Sequence, residues 1–254
     1  MNNSISKRFA DWPTTWPTGS FRSAAIAVLL LMIVIWPIVV IAIYRQLASR
    51  QTMSGPVGLG DPQVVIASLG LTLAIEGSIA LSLIALLPWA SHLSLHQLGY
   101  RLPAGRDLLI AFLGSLVMAI VANGGASIMQ ALLHTSQDQQ VVAMLRQLHD
   151  PRLLAAFALF ACVLAPFMEE TIFRVFLFNA TRRYWGFWAG AIVSGLCFGA
   201  AHGDPIAAFP LALGGIVLAF VYYRTNNAFA SMVTHGLFNS YTILALLVAP
   251  QLVK

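Results

Sequence analysis

The chain has 254 residues, of which 59% are hydrophobic and only 9% are Asp, Glu, Lys or Arg. Soluble domains average roughly 45–50% apolar and about 25% charged residues, so this composition excludes a globular protein with a wetted surface. The net charge of +5 does not indicate a nucleic-acid partner, because the basic residues lie in short loops between apolar runs, where they orient a polytopic membrane protein.

Seven apolar runs reach or approach the roughly 20 residues that a helix needs to cross about 30 Å of hydrocarbon. In chain order they are 23–44, 64–88, 107–134, 152–178, 186–203, 206–223 and 228–249. The predicted fold class is therefore all-α, a polytopic membrane helix bundle of about seven transmembrane helices. Only "HGDP" separates the short fifth and sixth runs, which predicts a tight helical hairpin.

The remaining segments are polar. Residues 1–22 read as an interfacial tail, and the run after them is long enough to span rather than to act as a cleavable signal. In 135–151 apolar residues recur at helical spacing, at Val141, Val142, Leu145 and Leu148. This segment is predicted to be an amphipathic helix at the interface. It would separate N-terminal transmembrane helices over 23–134 from a C-terminal helical domain over 152–250.

Lysine and arginine residues predict the orientation. Seven spans place eight of them on the side of the N-terminus and five on the opposite side. Basic loops favour the cytoplasm, so the N-terminus is predicted to be cytoplasmic, with the protein integral to the cell membrane and in contact with its lipid.

Four of the predicted spans carry ionisable residues, which are rare in membranes and usually mark a polar site. Glu76 has no partner that the sequence identifies, and no role is assigned to it. On the fourth span, Glu170 and Arg174 are one turn apart on one helix face and can neutralise each other. Glu169 is displaced by about 100° around the helix, so it remains available for chemistry.

The other polar turns are Phe198 with His202 on the fifth span and His235 with Asn239 on the seventh. Glu169 could be a general base on water, while His202 holds that water or relays its proton. His235 and Asn239 are donors suited to an oxyanion. A single intramembrane His or Asn is equally consistent with interhelical hydrogen bonding.

The motifs "EETIFR", "FGAAH" and "HGLFN", in that order, resemble the signature of the CPBP family, also called the ABI family. That family includes CAAX prenyl endopeptidases and bacterial members linked to bacteriocin self-immunity. The resemblance covers about residues 150–250 and implies an intramembrane endopeptidase with its site among the four C-terminal helices. It implies that Glu169 and His202 activate water, and that His235 and Asn239 form the oxyanion site. Glu170, Arg174 and Phe198 would be structural support.

The predicted cofactor requirement and the predicted function each have an alternative. Glu169, His202 and His235 are zinc ligands by type, but no HExxH pair is present, so a metal-independent glutamate-type protease is favoured over a zinc enzyme. The predicted substrate is a membrane-associated peptide or protein. The alternative function is a non-catalytic binding or immunity protein, or a transporter. Cys162 and Cys197 are predicted to be small buried hydrophobes.

Overall fold

The computed structural model describes residues 60–91, 93–134 and 139–248, so the tail 1–22 and the first predicted span lie outside the described residues. The α-helices are α1 (Pro62–Ser91), α2 (Gly105–Leu132), α3 (Gln140–Gln147), α4 (Pro151–Leu159), α5 (Ala165–Glu170), α6 (Asn179–Ala201), α7 (Pro205–Thr225) and α8 (Ala228–Val248). Two π-helical segments, Phe160–Leu164 and Thr171–Phe178, connect α4 to α5 and α5 to α6. The described ranges contain no strand, which confirms the all-α prediction.

Five helical stretches are long and apolar enough to cross a membrane. They are Pro62–Ser91, Gly105–Leu132, Pro151–Ala201, Pro205–Thr225 and Ala228–Val248. The chain is therefore an integral membrane protein. The total of seven spans stays a prediction, because the first predicted span lies outside the described residues.

The third stretch contains both the fourth and the fifth predicted spans. The direction of the chain changes inside it at Gly186, where φ is 80° and ψ is 179°, a conformation that essentially only glycine adopts. After this point α6 folds back along the preceding segment: Ser194 Oγ donates to the Phe173 carbonyl at 2.8 Å. The rings of Phe173 and Phe198 are only 5.4 Å apart, which a straight helix would not allow.

The predicted hairpin between the fifth and sixth spans is present as α6 and α7. Asp204 begins α7 as its N-cap: its Oδ1 accepts from Ile206 N at 2.9 Å and Ala207 N at 3.3 Å, and Pro205 takes the first helical position. The helices pack closely, since a Cβ at Gly195 would lie 2.7 Å from Ala212 O. Small residues permit this approach, as is usual between membrane helices.

The exterior of the bundle is apolar and part of its interior is polar. The exposed large hydrophobic side chains include Leu81, Ile120, Leu132, Trp188 and Val248. Glu170, Arg174, Thr171 and Ser231 are instead fully buried. This distribution suits a protein surrounded by lipid, in which polar groups must be satisfied internally.

Cys162 is half-buried and Cys197 is exposed, so the prediction that both are buried was wrong. Apolar composition predicts that a segment lies in the membrane, but it does not predict which side of the helix contacts lipid. An apolar thiol is compatible with either side.

The short helix α3 lies within the predicted amphipathic segment. Val142 and Leu145 are buried and pack in a cluster with Val65, Phe157 and Ile243 from the spanning helices. The backbone N–H of Gln140 also donates to Asp204 Oδ2 at 2.8 Å. The apolar face of α3 therefore packs against the end of the bundle at which α6 meets α7.

Candidate active site

The site forms where α5 lies between α1 and α8. Glu169 and Glu170 end α5, and the backbone continues as the π-helical segment Thr171–Phe178. Departures from α-helical hydrogen bonding of this kind occur frequently at functional sites. Both carboxylates are buried, with Glu169 8% exposed and Glu170 fully enclosed.

Glu170 and Arg174 form the ion pair that their spacing predicts. Arg174 Nη1 lies 3.0 Å from Glu170 Oε1, and both side chains are inaccessible to solvent. Ser231 Oγ on α8 donates to Glu170 Oε2, and His235 Nδ1 lies 3.1 Å from Oε1. Three donors thus surround this carboxylate, which leaves it poorly placed to act on a substrate.

Arg174 is held from several other directions. Its Nη2 donates to the Gly215 carbonyl at 3.2 Å, which is possible because Gly215 and Gly195 allow the backbones to approach. The Phe198 ring lies 4.4 Å from the guanidinium carbon, a distance typical of a cation–π contact. Phe198 therefore helps to stabilise the buried charge.

Glu169 has a different environment from its neighbour. Its Oε2 is buried and has no hydrogen-bond partner among the described residues. His235 Nε2 lies 3.7 Å from this Glu169 oxygen. An uncommitted carboxylate oxygen beside an imidazole is free to accept a proton from a bound water.

His235 lies between the two carboxylates and contacts both through different ring nitrogens. A carboxylate only accepts hydrogen bonds, so Nδ1 carries the hydrogen that is donated to Glu170. In the neutral ring Nε2 is then an acceptor. His235 can therefore donate from Nε2 to an oxyanion only as the imidazolium, in which both ring nitrogens carry a hydrogen.

His202 caps the C-terminus of α6 and is exposed. Its Nδ1 donates to the Phe198 carbonyl at 2.8 Å, which leaves Nε2 as the acceptor in the neutral ring. The Phe198 ring contacts both histidines, with ring centroids 4.9 Å from His202 and 5.4 Å from His235. The three motifs therefore converge, and Phe198 lies between two of them.

Asn239 lies one turn after His235 on α8. Its Nδ2 donates to the Ala161 carbonyl at 2.6 Å, in the π-helical segment Phe160–Leu164. A primary amide has two N–H groups, so one remains for another acceptor. This contact also fixes the orientation of the side chain relative to α4 and α5.

Two polar residues of the site were not assigned from the sequence. Ser231 hydrogen-bonds Glu170, and its position one turn before His235 is a signal that helical spacing could have supplied. Glu76 lies on α1, the helix that packs against α5, and its Oε2 is buried. Its proximity arises from tertiary packing, which no local pattern predicts.

Among the described residues, no group of three or more His, Cys, Asp or Glu side chains is arranged to hold a metal ion. The alternative ligand set of Glu169, His202 and His235 is thus not gathered as a cluster. Nδ1 of each of the two histidines is engaged with a protein acceptor, so only Nε2 of each ring could face an ion.

Comparison with known proteins confirms the resemblance predicted from the three motifs. Residues 151–241 match the family described as type II CAAX prenyl endopeptidase Rce1-like, and this segment contains every motif residue. The chain is 27% identical over 82 residues, 32% of its length, to a Bacillus subtilis protein named as membrane peptidase YdiL. It is 30% identical over 110 residues, 41% of its length, to the membrane-embedded CAAX protease MroQ of Staphylococcus aureus.

These matches cover 34% of the first relative and 44% of the second, so the similarity is confined to part of each protein. No solved structure matches the chain.

Proposed function

We propose that this chain, whose residues 151–241 match the Rce1-like family, is an intramembrane endopeptidase of CAAX-protease type. The observation that carries the proposal is the contrast between two adjacent carboxylates. Glu170 is held by Arg174, Ser231 and His235, whereas Glu169 Oε2 is buried without a hydrogen-bond partner in the described part of the chain. A buried carboxylate is costly, and its retention beside a histidine is typical of a reaction centre.

In the proposed reaction Glu169 removes a proton from water, and the resulting hydroxide attacks the carbonyl carbon of the scissile peptide bond. His202 binds the same water through Nε2, the nitrogen that its hydrogen bond to Phe198 leaves available. The carbonyl oxygen becomes an oxyanion, which the second N–H of Asn239 and the Nε2–H of protonated His235 stabilise. The tetrahedral intermediate then collapses: the C–N bond breaks and the leaving amine takes up one proton, which balances the proton that water gave to Glu169.

Glu170, Arg174 and Phe198 would support this centre without acting on the substrate. Through Ser231 and His235, Glu170 ties α5 to α8, and through Arg174 it ties α5 to α7. This arrangement would fix the position of His235 relative to Glu169. Preorganised donors and acceptors of this kind account for much of enzymatic rate acceleration.

The proposed substrate is a membrane-associated peptide or protein. The site is built from membrane-spanning helices, so a substrate held at or in the bilayer would reach it without leaving the lipid. The proposed location is the cell membrane with a cytoplasmic N-terminus, which rests on the distribution of basic residues between loops.

The reaction as proposed requires no metal, since Glu169 itself supplies the base. The test is an assay of the purified protein, reconstituted in lipid vesicles, against a library of lipid-anchored peptides, with and without a chelator. The proposal predicts cleavage that persists after chelation and is lost in Glu169→Gln. Binding of a library member without cleavage by the wild-type protein would instead support the non-catalytic alternative.

A further inference from the structure

The matched residues 151–241 do not contain every acidic side chain at the site. Glu76 comes from α1, outside the matched residues 151–241, and lies near the middle of a 30-residue membrane-spanning helix. An intramembrane carboxyl is expensive and calls for a partner or a function.

The packing of α1 directs this residue toward the reaction centre. A Cβ on the adjacent Gly77 would lie 3.5 Å from Met168 Sδ, next to Glu169 in the chain. Ile79, Leu83 and Leu87 on α1 belong to the same buried cluster as Ile172 and Phe173. Glu76 shares its helix face with the buried Ile79 and Leu83, three and seven residues further on, and its Oε2 is itself buried.

Glu76 is not part of a structural ion pair in the described ranges. Its Oε2 is buried and has no hydrogen-bond partner there. Arg174, the buried cation of the site, is already neutralised by Glu170 and held by Gly215. By contrast, Glu169 lies 3.7 Å from His235 Nε2. A carboxylic acid is far less costly than an unpaired carboxylate in an apolar interior, so Glu76 is the group suited to carry a proton.

We infer that Glu76 is a second acid of the site, which donates a proton to the leaving amine nitrogen while Glu169 acts as the base on water. The inference rests on the proposed peptidase function and names the group that gives the leaving amine its proton. Separate base and acid carboxyls divide the work in other hydrolases too, because their environments favour different protonation states.

Glu169 takes one proton from water as hydroxide bonds to the carbonyl carbon, and Glu76 gives one proton to the amine as the C–N bond breaks. Glu169 is then protonated and Glu76 ionised. Transfer of a proton from Glu169 to Glu76, directly or through water, restores the starting state. The new carboxylic acid releases its own proton to the solvent.

The experiment compares two substrates in the reconstituted protein: a lipid-anchored peptide that the wild type cleaves, and the matching depsipeptide with an ester at the scissile bond. An alkoxide leaves more readily than an amide anion, so ester cleavage depends much less on proton donation. Glu76→Gln should lower kcat for the peptide by about 10²-fold or more, the usual contribution of an acid–base group, with little change in KM. Cleavage of the depsipeptide should fall by less than about tenfold, a clear separation on that scale.

Ser82→Ala is the matched control. Ser82 lies on the same helix, and its hydroxyl donates to the Ser78 carbonyl at 2.7 Å. Both substrates should be cleaved at the wild-type rate by this variant. Equal losses on peptide and ester in Glu76→Gln, or no loss on either, would overturn the assignment of Glu76 as the proton donor.

Two further measurements cover other outcomes. If Glu76→Gln does not insert, Glu76→Asp keeps the acid and should retain a larger fraction of ester than of peptide activity. Equal fractions would contradict the inference. The infrared spectrum of the wild type should contain a protonated-carboxyl C=O band that Glu76→Asp shifts, and an unshifted spectrum would count against it. Failure of the wild type to cleave any peptide would refute the proposed function itself, and the role of Glu76 with it.

Discussion

Replacing Glu170 with Gln is expected to destabilise the protein strongly, whereas the same change at Glu169 is not. Glu170→Gln removes the negative charge that faces Arg174 at 3.0 Å in a fully buried pair. Gln keeps the size of the side chain and can still accept a hydrogen bond from Ser231 or His235. The main consequence is therefore an unpaired guanidinium in the interior of the bundle.

Breaking a buried pair by removing one partner typically costs about 3–5 kcal/mol. Arg174 retains its bond to the Gly215 carbonyl at 3.2 Å and its contact with the Phe198 ring at 4.4 Å. These remaining interactions place the expected loss near the lower end, about 3 kcal/mol, or roughly 10²-fold in the folding equilibrium. Glu169→Gln removes a carboxylate oxygen without a described hydrogen-bond partner. Its unfolding free energy should stay unchanged or rise by up to about 2 kcal/mol, as often happens when a catalytic group is removed.

The assay is unfolding of each variant in non-ionic micelles by titration with sodium dodecyl sulfate. Arg174→Met in the Glu170→Gln background removes the stranded charge and should recover part of the lost stability, because apolar replacements of buried pairs are often well tolerated. A Glu170→Gln protein as stable as the wild type, together with a strongly destabilised Glu169→Gln protein, would refute the assignment of Glu170 as the structural partner.

Three further predictions concern the oxyanion site, the metal and the fold. Asn239→Ala should lower kcat by about 10²–10³-fold with little change in KM. Asn239→Asp should lower kcat further, unless the new carboxyl is protonated. An unchanged kcat in Asn239→Ala would leave this residue with only its structural contact to Ala161. Exhaustive chelation should not reduce activity, and elemental analysis should find substoichiometric zinc. Stoichiometric zinc whose removal abolishes activity and whose return restores it would contradict the metal-free reaction. Gly186→Ala should lower the unfolding free energy by about 1–3 kcal/mol because φ is 80° there. The control Gly124→Ala should not destabilise the protein, since nothing lies within 4 Å of an added Cβ. Equal stability of the two variants would show that the positive φ at Gly186 does not require glycine.

Local features of this chain could be predicted from sequence. Glu170 and Arg174 are one turn apart, so their pairing follows from helix geometry, and the structure places them 3.0 Å apart. The start of α7 follows from Asp204 and Pro205, which supply an N-cap and a suitable first residue. Apolar length likewise located the spanning helices within the described ranges.

Features that depend on tertiary contacts could not be predicted in this way. The hydrogen bond from Ser231 to Glu170 joins residues 61 positions apart, and that from His235 to Glu170 joins residues 65 apart. Glu76 could not be assigned because α1 reaches the site only through its packing against α5. Hydropathy also does not report the π-helical segments Phe160–Leu164 and Thr171–Phe178 beside the site.

In the proposed reaction, Glu169 activates water to hydrolyse a peptide bond. The most direct measurement is a reaction of the reconstituted protein with a lipid-anchored peptide in water enriched in oxygen-18, analysed by mass spectrometry. The wild type should yield two fragments, with heavy oxygen in the new carboxyl terminus, while Glu169→Gln, folded and inserted at wild-type levels, should yield none. Cleavage by Glu169→Gln at the wild-type rate would contradict the role of Glu169 as the base.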